Sequence, residues 1–204
     1  MSKAVAIAKD LLSIEAIQVK TEGHFTWTSG IQSPIYCDNR LVISYPETRR
    51  KVVEAWLELI EAKGLKPDVI AGCATAGIPH AAWLAEAMNL PMVYIRSKPK
   101  GHGTASQIEG VIEKGQKALV IEDLISTGGS AIDAAKVLAA EDVEVEHVLA
   151  IFTYGIEKAK TNFAEANFPY DTILNFDQLL DVIVADGGMT DDDRERLLDW
   201  RNNL

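Results

Sequence analysis

Two carboxylates, a run of hydroxyl side chains and two glycines stand close together in the middle of the chain and could bind a phosphorylated ligand. Glu122 and Asp123 end an apolar run, and the segment that follows is Ser126-Thr127-Gly128-Gly129-Ser130. Glycines allow successive backbone N–H groups to point into one concavity, and a helix that begins near Ser130 would add the positive end of its dipole. These five residues are therefore candidates for binding a phosphate group.

The two carboxylates give this candidate site a second kind of ligand chemistry. A carboxylate pair would repel a phosphate, but it accepts hydrogen bonds from hydroxyl groups and coordinates Mg²⁺. A sugar phosphate with a diol on one side and a metal-bound anion on the other satisfies both halves. The alternative is an ordinary strand-to-helix turn rich in small residues, and the acidic pair together with three hydroxyl residues argues against it.

Residues 118–130 resemble the phosphoribosyl-pyrophosphate (PRPP) loop of type I phosphoribosyltransferases: four apolar residues, two acidic residues, two apolar residues and a Ser/Thr/Gly turn. They match neither the P-loop nor the dinucleotide fingerprint G-x-G-x-x-G. The resemblance implies that Glu122 and Asp123 accept hydrogen bonds from the ribose hydroxyls, directly or through Mg²⁺-bound water. It also implies that the 5′-phosphate is held by Ser126, Thr127, Gly128, Gly129 and Ser130.

A basic segment, residues 96–104, is the second candidate, because it holds four potential cations within seven residues. In a chain of formal net charge −10, this clustering among glycines favours a local anion-binding loop, although a solvated surface loop is the alternative. The segment resembles the catalytic lid loop of orotate phosphoribosyltransferases. The resemblance implies that Arg96, Lys100 and His102 contact pyrophosphate, and that Lys100 and His102 act in catalysis together with Asp123.

The same resemblance has a consequence for assembly. In the family, the lid loop reaches the active site of the neighbouring subunit, so the resemblance implies a homodimer. Lys100 would be the main donor of positive charge to the leaving pyrophosphate, assisted by His102 and Arg96.

A third motif lies in residues 25–40, which contain Ser-Gly-x-x-Ser-Pro followed by an aromatic residue. It resembles the N-terminal signature of orotate phosphoribosyltransferases. A planar anionic pyrimidine needs a flat face to stack on and donors for its carboxylate and carbonyl groups. The candidate orotate-binding residues are Ser29, Gly30 and Tyr36, with Ser126 from the PRPP-like loop.

A small-residue turn at Thr75-Ala76 resembles the loop at which backbone amides approach pyrophosphate in this fold. Glycine-rich strand-to-helix turns are common, so this signal is weak by itself. His80, just beyond the turn, is interpreted as a helix-surface or core residue rather than a catalytic one. For Arg40, an ion pair with Asp38 is favoured over a ligand contact.

The sequence departs from the orotate family at several positions. Thr28 and Ala76 stand where lysine is frequent, and no arginine occurs near Tyr154. The acidic pair begins with Glu122 rather than the usual aspartate. These departures leave open which groups hold the carboxylate of orotate.

Composition narrows the possible classes of protein. With 204 residues, 48% of them apolar, the chain is long enough for one domain with a full core. The acidic net charge argues against a nucleic acid or an anionic membrane as partner. No apolar run is long enough to span a bilayer, and Lys9 and Asp10 interrupt the apolar start. Cys37 and Cys73 form no framework, so they are interpreted as packed thiols in a reducing cytoplasm.

Apolar periodicity predicts strands at 69–71, 92–95, 118–121, 148–152 and 172–174. It predicts helices over 78–88, 131–140 and 156–166, an opening helix around Ala4–Ile14, and a helix from Pro46 that Gly64 ends. Two C-terminal helices are expected at 178–185, capped by Asp177, and at 191–200, with a capping box of Thr190 and Asp193. The alternation predicts an α/β fold with a doubly wound, mostly parallel sheet.

We therefore expect residues 1–204 to form a single type I phosphoribosyltransferase-like domain. Residues 1–45 would form a small cap (the hood), and residues 67–175 would form the α/β core. The resemblance implies transfer of the phosphoribosyl group of PRPP to orotate, through a transition state like an oxocarbenium ion, with Mg²⁺ as cofactor. Two alternatives stay open: a phosphoribosyltransferase for a purine base, and a non-catalytic regulator that binds PRPP.

Overall fold

The structure is a computed structural model that describes residues 2–26, 30, 32–98 and 107–204. The helices are α1 Lys3–Ser13, α2 Pro46–Lys63, α3 Gly77–Met88, α4 Gly129–Ala140, α5 Glu157–Ala166, α6 Phe176–Ala185 and α7 Asp191–Asn202. The strands are β1 Ile17–Val19, β2 Phe25–Thr26, β3 Gln32–Ser33, β4 Ile35–Cys37, β5 Val69–Cys73, β6 Met92–Ile95, β7 Ile108–Glu109, β8 Lys117–Ile125, β9 Glu144–Thr153 and β10 Tyr170–Asn175.

The main sheet has the strand order β10-β9-β8-β5-β6-β7. Neighbouring strands from β10 to β6 are parallel, and β7 pairs with β6 in the antiparallel sense. The chain therefore winds outward from the centre of the sheet in both directions. The predicted doubly wound, mostly parallel α/β fold is confirmed.

Alternate residues of the central strands supply the two faces of this sheet. On one face, Ile70, Leu119 and Leu149 pack with the apolar sides of α1, α2, α3, α6 and α7. On the other face, Val69 and Val120 pack against α4 and α5. Strands covered on both sides read as continuous apolar runs, which explains why the sequence pattern located them.

The strand β8 is longer than the predicted 118–121. It runs to Ile125, so Glu122 and Asp123 are the sixth and seventh of its nine residues rather than residues beyond its end. Polar residues near the end of a strand hide its true length from a hydrophobicity pattern. β7 was also missed, because two residues in a polar stretch carry no periodic signal.

The ends of the helices mostly follow the expected capping chemistry. Gly64 adopts a left-handed conformation and ends α2, and Thr190 forms a capping box with Asp193 at α7. The prediction that Asp177 caps the helix that follows it is wrong. Asn175 caps α6 in a capping box with Gln178, because its side chain can reach the third backbone N–H.

The N-terminal region packs on the main sheet through α1, and it forms small antiparallel pairs from β1 with β4 and from β2 with β3. A 3₁₀ segment, Asn39–Ser44, then leads into α2. The division into a hood of residues 1–45 and a core of residues 67–175 stays a prediction. Within the described part of the chain, no helix has both the length and the apolar character needed to cross a membrane.

Candidate active site

The carboxylate pair lies where β8 extends past its neighbour β5. Pairing between these strands ends at Gly72 and Ile121, whereas β8 stays paired with β9 as far as Ile125. Glu122 and Asp123 therefore follow the last residue that β5 covers. In open α/β sheets, ligands bind in such crevices at the carboxyl ends of the strands.

Burial dominates the electrostatics of the pair. The side chain of Glu122 is buried, and it accepts a hydrogen bond from the backbone N–H of Asp123 at 3.0 Å. Burial, and then the charge of Asp123, raises the pKa of Glu122 to about 8. Burial also raises the pKa of Asp123. Both shifts favour a proton shared by the two acids, and a pair that shares a proton both donates to and accepts from hydroxyl groups.

The hydroxyl and glycine segment forms the expected turn into α4. Gly128 caps this helix with φ +84°, a left-handed conformation, and it is buried. A Cβ at Gly128 would lie 2.5 Å from the ring of Phe163, so only glycine fits. A cavity of about 160 Å³ is lined by residues 124–131. Because the first N–H groups of a helix lack helical acceptors, this concavity suits an anion.

The turn after β5 lies beside the same crevice. Thr75 is exposed and Ala76 is half-buried. A Cβ on Gly77 would lie 2.4 Å from the backbone oxygen of Ile121, so glycine allows α3 to begin against β8. Both turns therefore sit at the carboxyl ends of adjacent strands, as expected from the sequence.

Arg96 joins this region from the end of β6. A cavity of about 290 Å³ is lined by Cys73, Ala74, Arg96, Gln107 and Ser130, among others. The structure thus brings Arg96 together with the start of α4 and with the turn after β5.

The backbone around Arg96 is tied to the returning chain. Its N–H donates to the carbonyl of Gln107 at 2.8 Å, and the Gln107 side chain donates back to the carbonyl of Arg96 at 2.9 Å. The guanidinium of Arg96 lies 3.5 Å from a carboxylate oxygen of Glu109. Lys100 and His102 lie outside the described residues.

The predicted orotate-binding residues are only partly described. Tyr36 is partly exposed, and its ring lies 5.8 Å from that of Phe25. Burial, and then the charges of Cys37, Tyr36 and Asp123, raise the pKa of Tyr154, so Tyr36 and Asp123 both act on Tyr154. Gly30 has φ +86°, and Ser29, like Thr28, lies outside the described residues.

Three side interpretations from the sequence can be compared with the structure. Arg40 forms a two-point ion pair with Asp38, at 2.6 and 2.8 Å, as favoured above. His80 is a core residue with 1% exposure. Cys37 and Cys73 are both free thiols, and burial raises the pKa of each.

The sequence did not reveal three polar side chains that donate hydrogen bonds to main-chain carbonyls of the site. Asn39 donates to the carbonyl of Asp123 at 2.8 Å, Thr153 donates to that of Ile125 at 2.9 Å, and Asn162 donates to that of Thr127 at 2.8 Å. These donors lie 84, 28 and 35 positions from their acceptors. Contacts at such separations leave no signature in local spacing.

Comparison with known proteins agrees with this geometry. The family described as "Phosphoribosyl transferase domain" matches residues 45–173. The orotate phosphoribosyltransferase of Oceanobacillus iheyensis is 52% identical over 97% of this chain and 98% of its own length. The orotate phosphoribosyltransferase of Bacillus subtilis is 50% identical over 97% of this chain and 91% of its own.

A solved structure shares the fold. The crystal structure of orotate phosphoribosyltransferase from Aeropyrum pernix aligns with a TM-score of 0.77 at 28% identity, covering 90% of this chain and 99% of that one. Sequence, fold and the arrangement of the two turns point to the same group of proteins. The chain therefore belongs to the phosphoribosyltransferase family and, within it, to the orotate phosphoribosyltransferases.

Proposed function

We propose that this protein transfers the 5-phosphoribosyl group of PRPP to orotate, producing orotidine 5′-monophosphate and pyrophosphate in pyrimidine nucleotide synthesis. The observation that carries the proposal is the carboxylate pair of the buried Glu122 and the half-buried Asp123, with a left-handed glycine, Gly128, and the start of α4 five residues further along the chain. A diol and a phosphate on one ligand match these two features. Membership of the orotate family supports orotate as the acceptor.

The 5′-phosphate of PRPP would bind in the cavity lined by residues 124–131. Backbone N–H groups at the start of α4 and the hydroxyls of Ser126, Thr127 and Ser130 would donate to its oxygens. In the first turn of α4, no acidic side chain opposes the anion. The positive end of the helix dipole then adds to the hydrogen bonds.

Glu122 and Asp123 would accept hydrogen bonds from the ribose 2′ and 3′ hydroxyls, directly or through metal-bound water. Among the described residues, no group of three or more His, Cys, Asp and Glu side chains could hold a metal ion. Two carboxylates fit an ion that takes most of its ligands from the substrate and from water, as Mg²⁺ commonly does. Mg²⁺ bound with PRPP would neutralise part of the charge on the leaving pyrophosphate.

The leaving group would be held from the other side of the crevice. Arg96 lines the cavity that contains Ala74 and Ser130, and the neighbouring turn places the backbone of Thr75 and Ala76 at the same strand edge. By the family resemblance, Lys100 would donate the main positive charge, with His102 assisting. Stabilising developing charge with preorganised donors is the main route to catalysis in such a reaction.

Orotate would stack against Tyr36 and receive hydrogen bonds from Ser29, Gly30 and Ser126. Orotate is already an anion, so the reaction needs no strong general base. We further propose that two copies form a homodimer in which the loop carrying Lys100 completes the partner's site.

The test is to follow the loss of orotate's ultraviolet absorbance when PRPP and Mg²⁺ are added to the pure protein, with hypoxanthine and adenine as competing bases. The proposal expects rapid loss that needs both PRPP and metal. Asp123→Asn should abolish most of it, whereas Asp142→Asn, an exposed residue paired with Lys114, should not. Reaction of a purine alone would leave the fold assignment but overturn the choice of base. Binding of PRPP without turnover of any base would favour a regulator.

A further inference from the structure

The PRPP-like loop is supported by side chains that do not belong to it. The carbonyl of Ile125 accepts a hydrogen bond from the hydroxyl of Thr153 at 2.9 Å and a longer one from the backbone N–H of Tyr154 at 3.4 Å. The carbonyl of Thr127 accepts a hydrogen bond from the amide of Asn162 at 2.8 Å. Thr153 lies at the end of β9, and Asn162 lies in the middle of α5. Two separate elements therefore hold two carbonyls of the same short turn.

Because the peptide bond is planar, these contacts with carbonyl groups also determine the directions of N–H groups on the opposite side of the loop. In a trans peptide, the C=O of one residue and the N–H of the next point in opposite directions within one plane. Holding the carbonyls of Ile125 and Thr127 therefore fixes the directions of the N–H groups of Ser126 and Gly128. Both of these residues line the cavity of about 160 Å³, whereas among the described residues Thr153 and Asn162 are not part of its lining.

A second contact keeps α5 in place beneath the loop. Phe163, the residue after Asn162, is buried, and its ring edge lies 2.5 Å from the position that a Cβ on Gly128 would take. The same ring stacks on Tyr170 of β10, with ring centroids 4.1 Å apart. Because the Phe163 ring packs against both Gly128 of the loop and Tyr170 of the sheet, the neighbouring Asn162 is kept within hydrogen-bond distance of the Thr127 carbonyl.

The side chain of Thr153 is also fixed, by burial and by two hydrogen bonds of its hydroxyl. Its side chain is buried, and the same hydroxyl that donates to Ile125 accepts a hydrogen bond from the backbone N–H of Gly155 at 3.1 Å. A buried hydroxyl with both a donor and an acceptor partner has one stable orientation. The hydroxyl therefore fixes the turn after β8 relative to the turn after β9.

We propose that Thr153 and Asn162 are positioning residues for the 5′-phosphate of PRPP. They act through the loop: each fixes a peptide plane so that its N–H is already directed at the phosphate before the ligand arrives. This inference rests on the proposed function, because it takes the loop as the site of the 5′-phosphate. Preorganised donors bind more tightly, since no ordering cost remains to be met on binding.

The test compares Thr153→Val, which removes the hydroxyl at nearly constant volume, with Thr153→Ser, which keeps it. Asn162→Ala removes the second support, and Thr161→Ala is its matched control, because Thr161 is exposed and its hydroxyl donates to the carbonyl of Glu157 within the same helix. Inhibition by ribose 5-phosphate and by pyrophosphate is measured for each protein, together with KM for PRPP and for orotate.

We expect Thr153→Val and Asn162→Ala each to weaken ribose 5-phosphate inhibition, and to raise KM for PRPP, by about tenfold, in line with the loss of one hydrogen bond that organises a site. Pyrophosphate inhibition and KM for orotate should change by less than about twofold. Thr153→Ser and Thr161→Ala should stay near the wild type. General damage to the fold would instead weaken all ligands together and lower the melting temperature in proportion.

These measurements distinguish failure of the positioning role from failure of the proposed function. If the wild type converts orotate and PRPP but ribose 5-phosphate inhibits Thr153→Val and Asn162→Ala as well as it inhibits the wild type, the positioning role is wrong. An equal loss for ribose 5-phosphate and pyrophosphate would also overturn it. If the wild type does not react with orotate, the proposed function fails, and calorimetric binding of ribose 5-phosphate to the same variants still tests the positioning role.

Discussion

The chemistry of single residues in this site depends on burial. Glu122 and Asp123 are adjacent acids, and burial raises the pKa of both. An exposed pair would be fully ionised and hydrated at neutral pH, and the incoming phosphate would meet two negative charges. A pair that retains a proton lowers this repulsion, while its oxygens remain available to the ribose hydroxyls.

We expect Glu122→Gln to change how stability depends on pH. The folded-state pKa of Glu122 is about 8, above the ordinary value of 4.5. The folded protein therefore binds this proton more tightly than the unfolded chain does, and the free energy of unfolding falls as pH rises from about 4.5 towards 8. The melting temperature of the wild type should drop more between pH 5 and pH 8 than that of Glu122→Gln.

The exposed Glu165 provides the control for this measurement. Glu165→Gln should keep the wild-type dependence on pH, because the residue is open to solvent. If the wild type and Glu122→Gln lose the same stability over this range, Glu122 does not hold a proton in the folded state.

A second prediction about a single residue concerns the effect of Lys100 on the reaction rate. If it donates the main charge to leaving pyrophosphate, Lys100→Ala should slow the reaction by about 100- to 1000-fold, as loss of one preorganised donor usually does. Lys98→Ala, two positions earlier in the same basic segment, is the comparison and should have a much smaller effect. A loss of less than about fivefold for Lys100→Ala in kcat would remove this residue from the proposed role.

At the scale of elements, the start of α3 depends on how this helix packs against α2. His80 of α3 lies edge-on between Trp56 and Trp83, with ring centroids 6.1 and 5.4 Å away. Within the described residues, neither ring nitrogen of His80 has a hydrogen-bond partner. The helix begins three residues earlier, at Gly77, directly after the Thr75-Ala76 turn, so the packing of His80 fixes one wall of the crevice.

Acid should therefore loosen the contact between α2 and α3. Burial lowers the pKa of His80 to about 4 from its ordinary 6.5. The unfolded chain then binds the proton more tightly, so stability is lost as pH falls from about 6.5 to 4, by at most roughly 3 kcal/mol. Urea unfolding of His80→Phe should show a smaller loss over this range than the wild type.

Replacement of the exposed His24 by glutamine separates this effect from general acid denaturation. His24→Gln should follow the wild-type curve, because the residue lies open to solvent. Parallel curves for the wild type and His80→Phe would show that His80 is not the group that titrates on unfolding.

At the scale of the whole molecule, each active site is proposed to contain parts of two chains. Lys100 would come from one subunit, and the acidic pair with the 5′-phosphate loop would come from the other. Isologous dimers contain two copies of every such composite site. Two substitutions in different parts of the site can therefore be placed on different subunits of one dimer.

Mixing Lys100→Ala with Asp123→Asn should restore activity to two nearly inactive proteins. A mixed dimer then has one intact site and one that carries both changes, so an equimolar mixture should reach about a quarter of the wild-type rate after random exchange. The measurement is turnover of orotate before and after exchange, which mass spectrometry of differently tagged subunits confirms. No recovery after complete exchange would mean that the loop serves its own chain.

Much of the fold was predictable from local pattern. The buried strands read as continuous apolar runs, and the glycines and prolines at Gly64 and Pro46 marked the ends of α2. The acidic pair and the turn after it were also visible, since their residue types are contiguous. What local pattern could not give was the length of β8, because Glu122 and Asp123 interrupt its apolar run before Leu124 and Ile125.

The supports of the site were not predictable for a different reason. Asn39, Thr153 and Asn162 each meet the loop only after the chain has folded, and each binds a main-chain atom. No pairing of side-chain types marks such a contact in the sequence. Asn175 illustrates the same limit over a short range, because either Asn175 or Asp177 could have capped α6 until the backbone angles were known.

The use of main-chain oxygens as acceptors has a consequence for protein engineering. A carbonyl oxygen is present at position 127 whatever the amino acid, so a randomised library at Thr127 would keep its support from α5 in every member. The restriction on sequence falls instead on Asn162, whose amide makes that contact although this residue does not line the cavity proposed for the 5′-phosphate. Attempts to widen the range of sugar phosphates accepted should therefore vary positions such as Thr127 and leave Gly128, Thr153 and Asn162 unchanged.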